Sequence, residues 1–553
     1  MNTLFDLFGF LSVTLRGFDL VAQSVLLGSV AFALFVAAPM GRDARGEART
    51  ILAAVRQMVA AAALATFVIV IARAVVSAAV LGASLDISWR DVAGAGFVIA
   101  AGIKAAAAAA IGLAVSMRPV ASPAARLAIA IASAVVLREA LANSHAAARL
   151  DDSGLMMLAT AAHELGAALW LGGLPCLWLA LRRATTPLVA SQIGRRFSTL
   201  AIAGVALIVV GAIVFASRYI SSIEAVYGTA YGAMAVTKSV LFAMLLCLGL
   251  ANFRALRAFT PDGAATGRIR RFVEVEMGIG FGVLMAAASI TSMPPAVDLV
   301  EDRVALSEIA ARMRPAVPEL RSPDHAALAI PALQARLDRE WRTGQASTRA
   351  PAFVPGGGVP PPRNADDIAW SEYNHHWAGL LVTLMGLAAL AQRSGKAPWA
   401  KHWPLLFLVL AAFLFLRADP EVWPMGEIGI IESLKDPEVA QHRLFVALII
   451  AFALFEWRVR IGRVPSRKWM RVFPLLTAIG GTLLLTHSHA LANVREELLV
   501  EMTHLPIAVL GITAGWARWL EVEAPDAEGR WAGWIWPACF VLIGLLLLGY
   551  REA

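Results

Sequence analysis

Three cysteines in 553 residues, Cys176, Cys247 and Cys539, are too few and too scattered for a disulfide framework, and none belongs to a CxxC pair. All three fall inside apolar stretches, where packing is their ordinary role. Charge is scarce too. Asp, Glu, Lys and Arg make up 16% of the chain while 59% is hydrophobic, a ratio that excludes a soluble globular protein. The sequence contains no GxxxxGK[ST] phosphate loop and no CxxCH motif, so it carries neither a P-loop ATP engine nor a site for covalently attached haem. The net charge of +8 does not signal nucleic-acid binding, because the basic residues sit in short blocks between apolar runs.

Those runs dominate the chain. A bilayer is crossed by about 20 apolar residues at about 1.5 Å rise each. Stretches of that kind lie near 18–40, 55–80, 92–117, 124–142, 154–180, 198–217, 232–253 and 272–293, then 375–392, 402–417, 440–457, 471–490, 498–519 and 531–549. The pattern predicts an all-α, polytopic integral membrane helical bundle of about 14 transmembrane helices. Two of these spans carry charge: Arg56 and Arg73 in one, Lys104 in the other. The first apolar segment lacks a small-x-small cleavage site and reads as a retained helix.

Alternate loops are rich in arginine, among them Arg42, Arg45 and Arg49; Arg182, Arg183, Arg195 and Arg196; and Arg458, Arg460, Arg463, Arg467 and Arg471. The loops between are neutral or acidic, such as Asp151-Asp152. Under the positive-inside rule the arginine-rich loops are cytoplasmic, and both termini then lie outside. A polar interval divides the chain into an eight-helix half (1–295), an external insert (296–373) and a six-helix half (374–553). The insert opens after Met293-Pro294-Pro295 and has helix-like stretches near 304–313 and 325–342. It ends in a Pro/Gly run, Val354 to Pro362, that fits neither helix nor sheet.

Histidine is rare, with ten in the chain, and most fall at the predicted outer side. Asn143-Ser144-His145 ends one span, with His163 on the next; His487-Ser488-His489 ends another, with His504 on the next. Imidazole inside hydrocarbon is costly without a partner and binds late first-row metals well. Met156, Thr160 and His163 follow at i, i+4 and i+7 on one helix face, with Met157 and Glu164 on an adjacent one. Glu497, Glu501 and His504 repeat that spacing, with Met502 close by. His375 and His376 begin the ninth span and His442 the eleventh. Thioether with imidazole suits copper, as Cu(I) or Cu(II). The candidate metal ligands are therefore His145, Met156, His163, Glu164, His375, His376, His487, His489, Met502 and His504. Paired histidines on facing helices are also compatible with haem b and membrane electron transfer. Mutually satisfied polar pairs that only stabilise helix packing are the third possibility.

Several ordered motifs resemble a known family. Asn143-Ser144-His145-Ala146, His163-Glu164, and Trp170-Leu171-Gly172-Gly173-Leu174 come first. Arg196-Phe197-Ser198, Gly211, Thr229-Ala230-Tyr231-Gly232, Lys238, Asn252, Arg271, Glu276 and Pro294-Pro295 follow in order. Together they cover about 140–295 and resemble the copper resistance protein D (CopD) family of bacterial inner-membrane proteins. The second half looks like the C-terminal extension of longer members. The resemblance implies copper homeostasis or resistance by a non-enzymatic protein in the inner (plasma) membrane, which accepts periplasmic copper and moves it toward or across the bilayer. It also implies a separate periplasmic CopC-type copper-binding partner, since no such domain is fused here. A haem-b electron carrier and a non-transporting copper-site assembly factor are the alternatives. Asn143 stands where the second cluster has His487, a departure that weakens the first site. Gly172 and Gly173 are expected to admit close helix approach, and Lys238 to find a carboxylate, a carbonyl or an aqueous cavity, in a structural role.

Overall fold

Lipid tails do not drive apolar helices together, so helices in a bilayer associate through close packing of small residues and through polar contacts. Both devices are visible throughout this chain. The computed structural model describes residues 8–40, 46–117, 122–142, 144, 151–257, 264–314, 316–323, 339, 365–419, 422–426, 428–434, 437–464, 466–486, 494–524 and 527–552. Among the described residues there is no β-strand, and the fold is a helical bundle, as the sequence predicts.

The first eight long helices are α1 (Phe8–Met40), α2 (Glu47–Leu85), α3 (Gly96–Met117), α4 (Pro123–Ala142), α5 (Ser153–Arg183), α6 (Pro187–Ile220), α7 (Ala230–Arg257) and α8 (Ala264–Ile290). After the insert come α9 (Ala365–Arg393), α10 (Pro398–Arg417, its first turns 3-10 helix), α11 (Pro437–Arg460), α12 (Val472–Leu484), α13 (Val494–Glu523) and α14 (Ala527–Leu548). Each predicted span falls on one of these. Ten helical stretches among the described residues are long and apolar enough to cross a membrane. The other four are α4, α9, α11 and α12; α12 has 13 residues, and the rest bring Arg, Glu or His into their length. In the insert, Leu306–Arg312 is helical where a helix-like stretch was expected, and 325–342 lies outside the described residues apart from position 339.

Two hydrophobic cores organise the bundle. The larger gathers side chains from α1 to α8 and takes in Leu498, Leu505, Ala508 and Ile512 of α13. The smaller joins α9, α10, α12 and α14 with Ala514 and Ala517 of that same α13. Cys176 is buried in the first core and Cys539 in the second.

Small residues set a very close crossing between α1 and α5. A Cβ added at Gly172 would overlap the Ser24 carbonyl, and one at Gly28 would overlap the Ala168 carbonyl. The backbones therefore touch on both sides. A π-helical turn at Ala168–Gly172 lies at this crossing and turns Trp170 and Leu171 into the core.

The charges within spans are also accounted for. Asp19 on α1 accepts from Arg73 of α2 at 2.5 Å and from Lys104 of α3 at 2.7 Å. Arg56 donates to the Val115 carbonyl at 2.6 and 3.1 Å. One buried carboxylate thus ties three helices together. Asp19→Asn leaves the buried Lys104 and the half-buried Arg73 without this anion, and removing one member of such a set costs up to about 3 kcal/mol. A clear fall in the melting temperature of the detergent-purified variant is expected; an unchanged melt would mean that the triad does not hold α1, α2 and α3 together.

Candidate metal centres

The first candidate centre forms where α5 meets α6 and α7. Gly211 on α6 lets α5 approach so closely that an added Cβ would lie 2.8 Å from both the Ala159 carbonyl oxygen and the His163 Cβ. His163 is thereby pressed against α6. Its Nδ1 lies 3.1 Å from the Ile208 carbonyl oxygen, and its ring meets Phe215 edge-on at 5.3 Å. A carbonyl fixes Nδ1 as the protonated nitrogen and sets Nε2 as the one with the lone pair. Facing that nitrogen at 3.5 Å is the amine of Lys238 on α7. The expected partner for Lys238 was a carboxylate, a carbonyl or water; the structure gives it the imidazole.

Met156 lies two turns before His163 on the same helix and is fully buried. It packs with Tyr219, and Phe215, Tyr231, Met157 and Val214 close around the pair. Phe215 stacks on Tyr219 at 5.9 Å, and Tyr219 meets Tyr231 at 6.1 Å. The thioether and the imidazole are therefore successive stations along α5, about 10 Å apart on its axis, lined by one aromatic wall.

Glu164 turns the other way. Consecutive helix positions differ by about 100°, and its carboxylate accepts from Gln23 Nε2 of α1 at 2.8 Å. It lines a cavity of about 320 Å³ walled chiefly by α1, α2 and α3, shared with Arg16, Asp19, Arg73, Lys104 and Glu139. His163 and Glu164, neighbours in sequence, thus serve different spaces.

The second candidate centre joins residues far apart in sequence. His375 on α9 and His504 on α13 place their rings 6.4 Å apart, nearly perpendicular. His375 Nδ1 lies 2.8 Å from the Ser371 carbonyl oxygen, and His504 Nδ1 lies 2.9 Å from that of Val500. Each ring is anchored by its own helix four residues back, which sets Nε2 as the nitrogen offered to a metal. Tyr550, just past α14, stacks on His375 at 3.8 Å and stands 6.0 Å from His504. The Tyr550 hydroxyl donates to Glu552 at 2.8 Å, and Ser371 donates to the same carboxylate. Burial, with Glu552 beside it, holds the Tyr550 phenol above its ordinary range, so it stays a neutral donor.

His376 has a different environment. Its Nδ1 accepts from the Glu319 backbone N–H at 2.9 Å, and its Nε2 lies 2.9 Å from the Tyr550 carbonyl oxygen. Both ring nitrogens are engaged with main chain. His442 pairs with Asp419 at 2.7 Å, and His402 accepts from Trp457 at 2.8 Å. Met502 packs against the larger core, and Glu501 is buried one turn before His504. His145, His487 and His489 lie outside the described residues; the α-helix of α12 ends at Leu484, ahead of the latter two. Among the described residues, no group of three His, Cys, Asp or Glu side chains is disposed to hold one ion.

Sequence reasoning did not find Tyr550 and Glu552. They follow the last apolar run, where nothing in the pattern marks them.

Comparison with known proteins bears out the family resemblance over its later motifs, from Arg196 to Glu276. Residues 191–290 match the family model described as Copper resistance protein D. That segment takes in nearly all of α6 and the whole of α7 and α8. Over 151 residues the chain is 32% identical to the copper transport protein CutJ of Bacillus subtilis (strain 168), covering 27% of this chain and 27% of that protein. The alignment thus spans about a quarter of the curated relative's length. No solved structure matches. Residues 191–290 are thus similar to the copper resistance protein D family, within a multi-pass helical membrane protein.

Proposed function

We propose that this chain binds copper from the periplasmic side of the bacterial inner membrane and passes it inward. One observation carries the reading. Ile208, Gly211, Phe215 and Lys238, which surround His163, all lie in the segment that matches the copper-resistance family. The family match and the predicted ligand thus meet at one point. Met156 and His163 supply a thioether and an imidazole in sequence along α5, a donor set suited to Cu(I).

His375 and His504 form a second copper station, with His487 and His489 as further donors. Charge alternation supports cytoplasmic arginine-rich loops and periplasmic termini in a fourteen-span topology. In this reading the eight-helix half (1–295) carries the first station, the six-helix half (374–553) most of the second, and the periplasmic insert (296–373) docks a separate CopC-type copper donor. The role is transport rather than catalysis.

Metal analysis and optical spectroscopy of the detergent-purified protein test this. Wild type is expected to retain copper, with His163→Ala and His504→Ala each losing one equivalent of a different site. A reducible Soret band with bis-imidazole features would replace the copper reading with haem b. Copper binding with no copper movement into proteoliposomes would assign an assembly role instead.

A further inference from the structure

Deeper in the copper-resistance region lies a polar group that the histidine stations do not use. Glu276 on α8 is 2% exposed. It accepts from the Asn252 amide of α7 and from the Trp170 indole of α5. Both donors are neutral, and among the described residues no Lys, Arg or His is paired with Glu276. Two other charged groups of the region are committed elsewhere. Glu274 is held by Trp178 at 2.8 Å and by Trp519 at 3.0 Å, while Lys238, about 21 Å up α7 from Asn252, faces His163.

A carboxylate in hydrocarbon without a counterion is costly, and such groups mark ion pathways. Here its two donors orient it as an acceptor. Asn252 is 8% exposed, and its Oδ1 has no hydrogen-bond partner. Buried oxygen acceptors therefore exceed donors, and the complement of that excess is a cation. The donor set is all oxygen, in contrast to the nitrogen and sulfur of the outer stations, so it suits a small hard ion rather than Cu(I). The sequence carries no phosphate loop to drive transport with nucleotide, which leaves an ion gradient among the energy sources open to it.

We propose that Glu276 and Asn252 form a site for a small hard monovalent cation, sodium or hydronium, whose passage is coupled to copper movement. The coupling rests on the transport reading above; the cation site itself does not. Two measurements on the full chain test them separately. In detergent, melting is compared in sodium against choline chloride at fixed ionic strength, and across mildly acidic to mildly alkaline buffer. In proteoliposomes, Cu(I) uptake is compared with and without an imposed sodium or pH gradient.

One of the two ions is expected to raise the wild-type melting temperature by on the order of 2–4 °C. Its gradient is expected to accelerate uptake about tenfold. Glu276→Gln is expected to lose both responses while keeping its histidine-bound copper, and Asn252→Ala to weaken both. Absence of any ion response in wild type, or the same response in Glu276→Gln, overturns the site. If Glu276→Gln does not fold, the wild-type response and Asn252→Ala decide. An ion-dependent melt without copper flux retains the site and overturns transport; flux indifferent to both gradients retains transport and overturns coupling.

Discussion

Replacing Lys238 with methionine is expected to tighten copper binding at His163 by about two to three orders of magnitude. The amine stands 3.5 Å from the nitrogen a metal would take. Two unit charges about 4 Å apart repel by about 4 kcal/mol at an effective dielectric of 20, and 4 kcal/mol is nearly a thousandfold in affinity. Methionine keeps much of the side-chain length and offers a thioether in place of the cation. Competition against a chromophoric Cu(I) chelator in detergent reads the change directly, and His163→Ala in the Lys238→Met background should cancel it. An affinity that does not move removes His163 from the ligand set. The geometry also refines what Lys238 does: it sits on the His163 nitrogen that the proposed copper site would use, as a resident cation that an arriving metal must displace.

Gly172→Ala carries the other large effect, this time on folding. The methyl would enter the space of the Ser24 carbonyl, and the reciprocal contact of Gly28 with Ala168 prevents α1 from sliding away. Overpacking against side chains costs about 1–3 kcal/mol because side chains can repack. Backbone facing backbone has no such relief, so the loss should exceed that range. The expected result is a collapse in monodisperse yield on size exclusion and a lower melting temperature. Gly480→Ala is the control, since nothing lies within 4 Å of its added methyl; it should be neutral or gain up to about 1 kcal/mol from helix propensity. If Gly172→Ala melts like wild type, α1 and α5 do not cross there.

What the sequence made legible follows from what the bilayer demands. A span must be about 20 apolar residues long, so α7 and α13 could be located from composition alone. Met293-Pro294-Pro295 likewise marked the end of α8, which stops at Ile290. Periodicity, however, reads one helix at a time. It placed Met156 and His163 on one face and Glu164 on the next, yet it did not say that the first face meets α6 and α7 while the second opens on the Asp19 cavity. The approach of His375 to His504 depends on α9 and α13 packing against the same α14, a tertiary fact without a local signature. Asp19 shows the same limit from the other side. Arg73 and Lys104, inside apolar spans, announced that an anion was needed, but only the packing of α1 against α2 and α3 identified it.

His376 gives the second centre a mechanical property. Its ring is a rivet through three parts of the chain: the insert at Glu319, helix α9, and the tail at Tyr550. The same tail residue lays its phenol ring on His375. A pull on the insert is thus delivered through one imidazole to the tyrosine shielding the neighbouring one. A protein docking on the insert would have a short lever on the shutter of that proposed metal site, three side chains long.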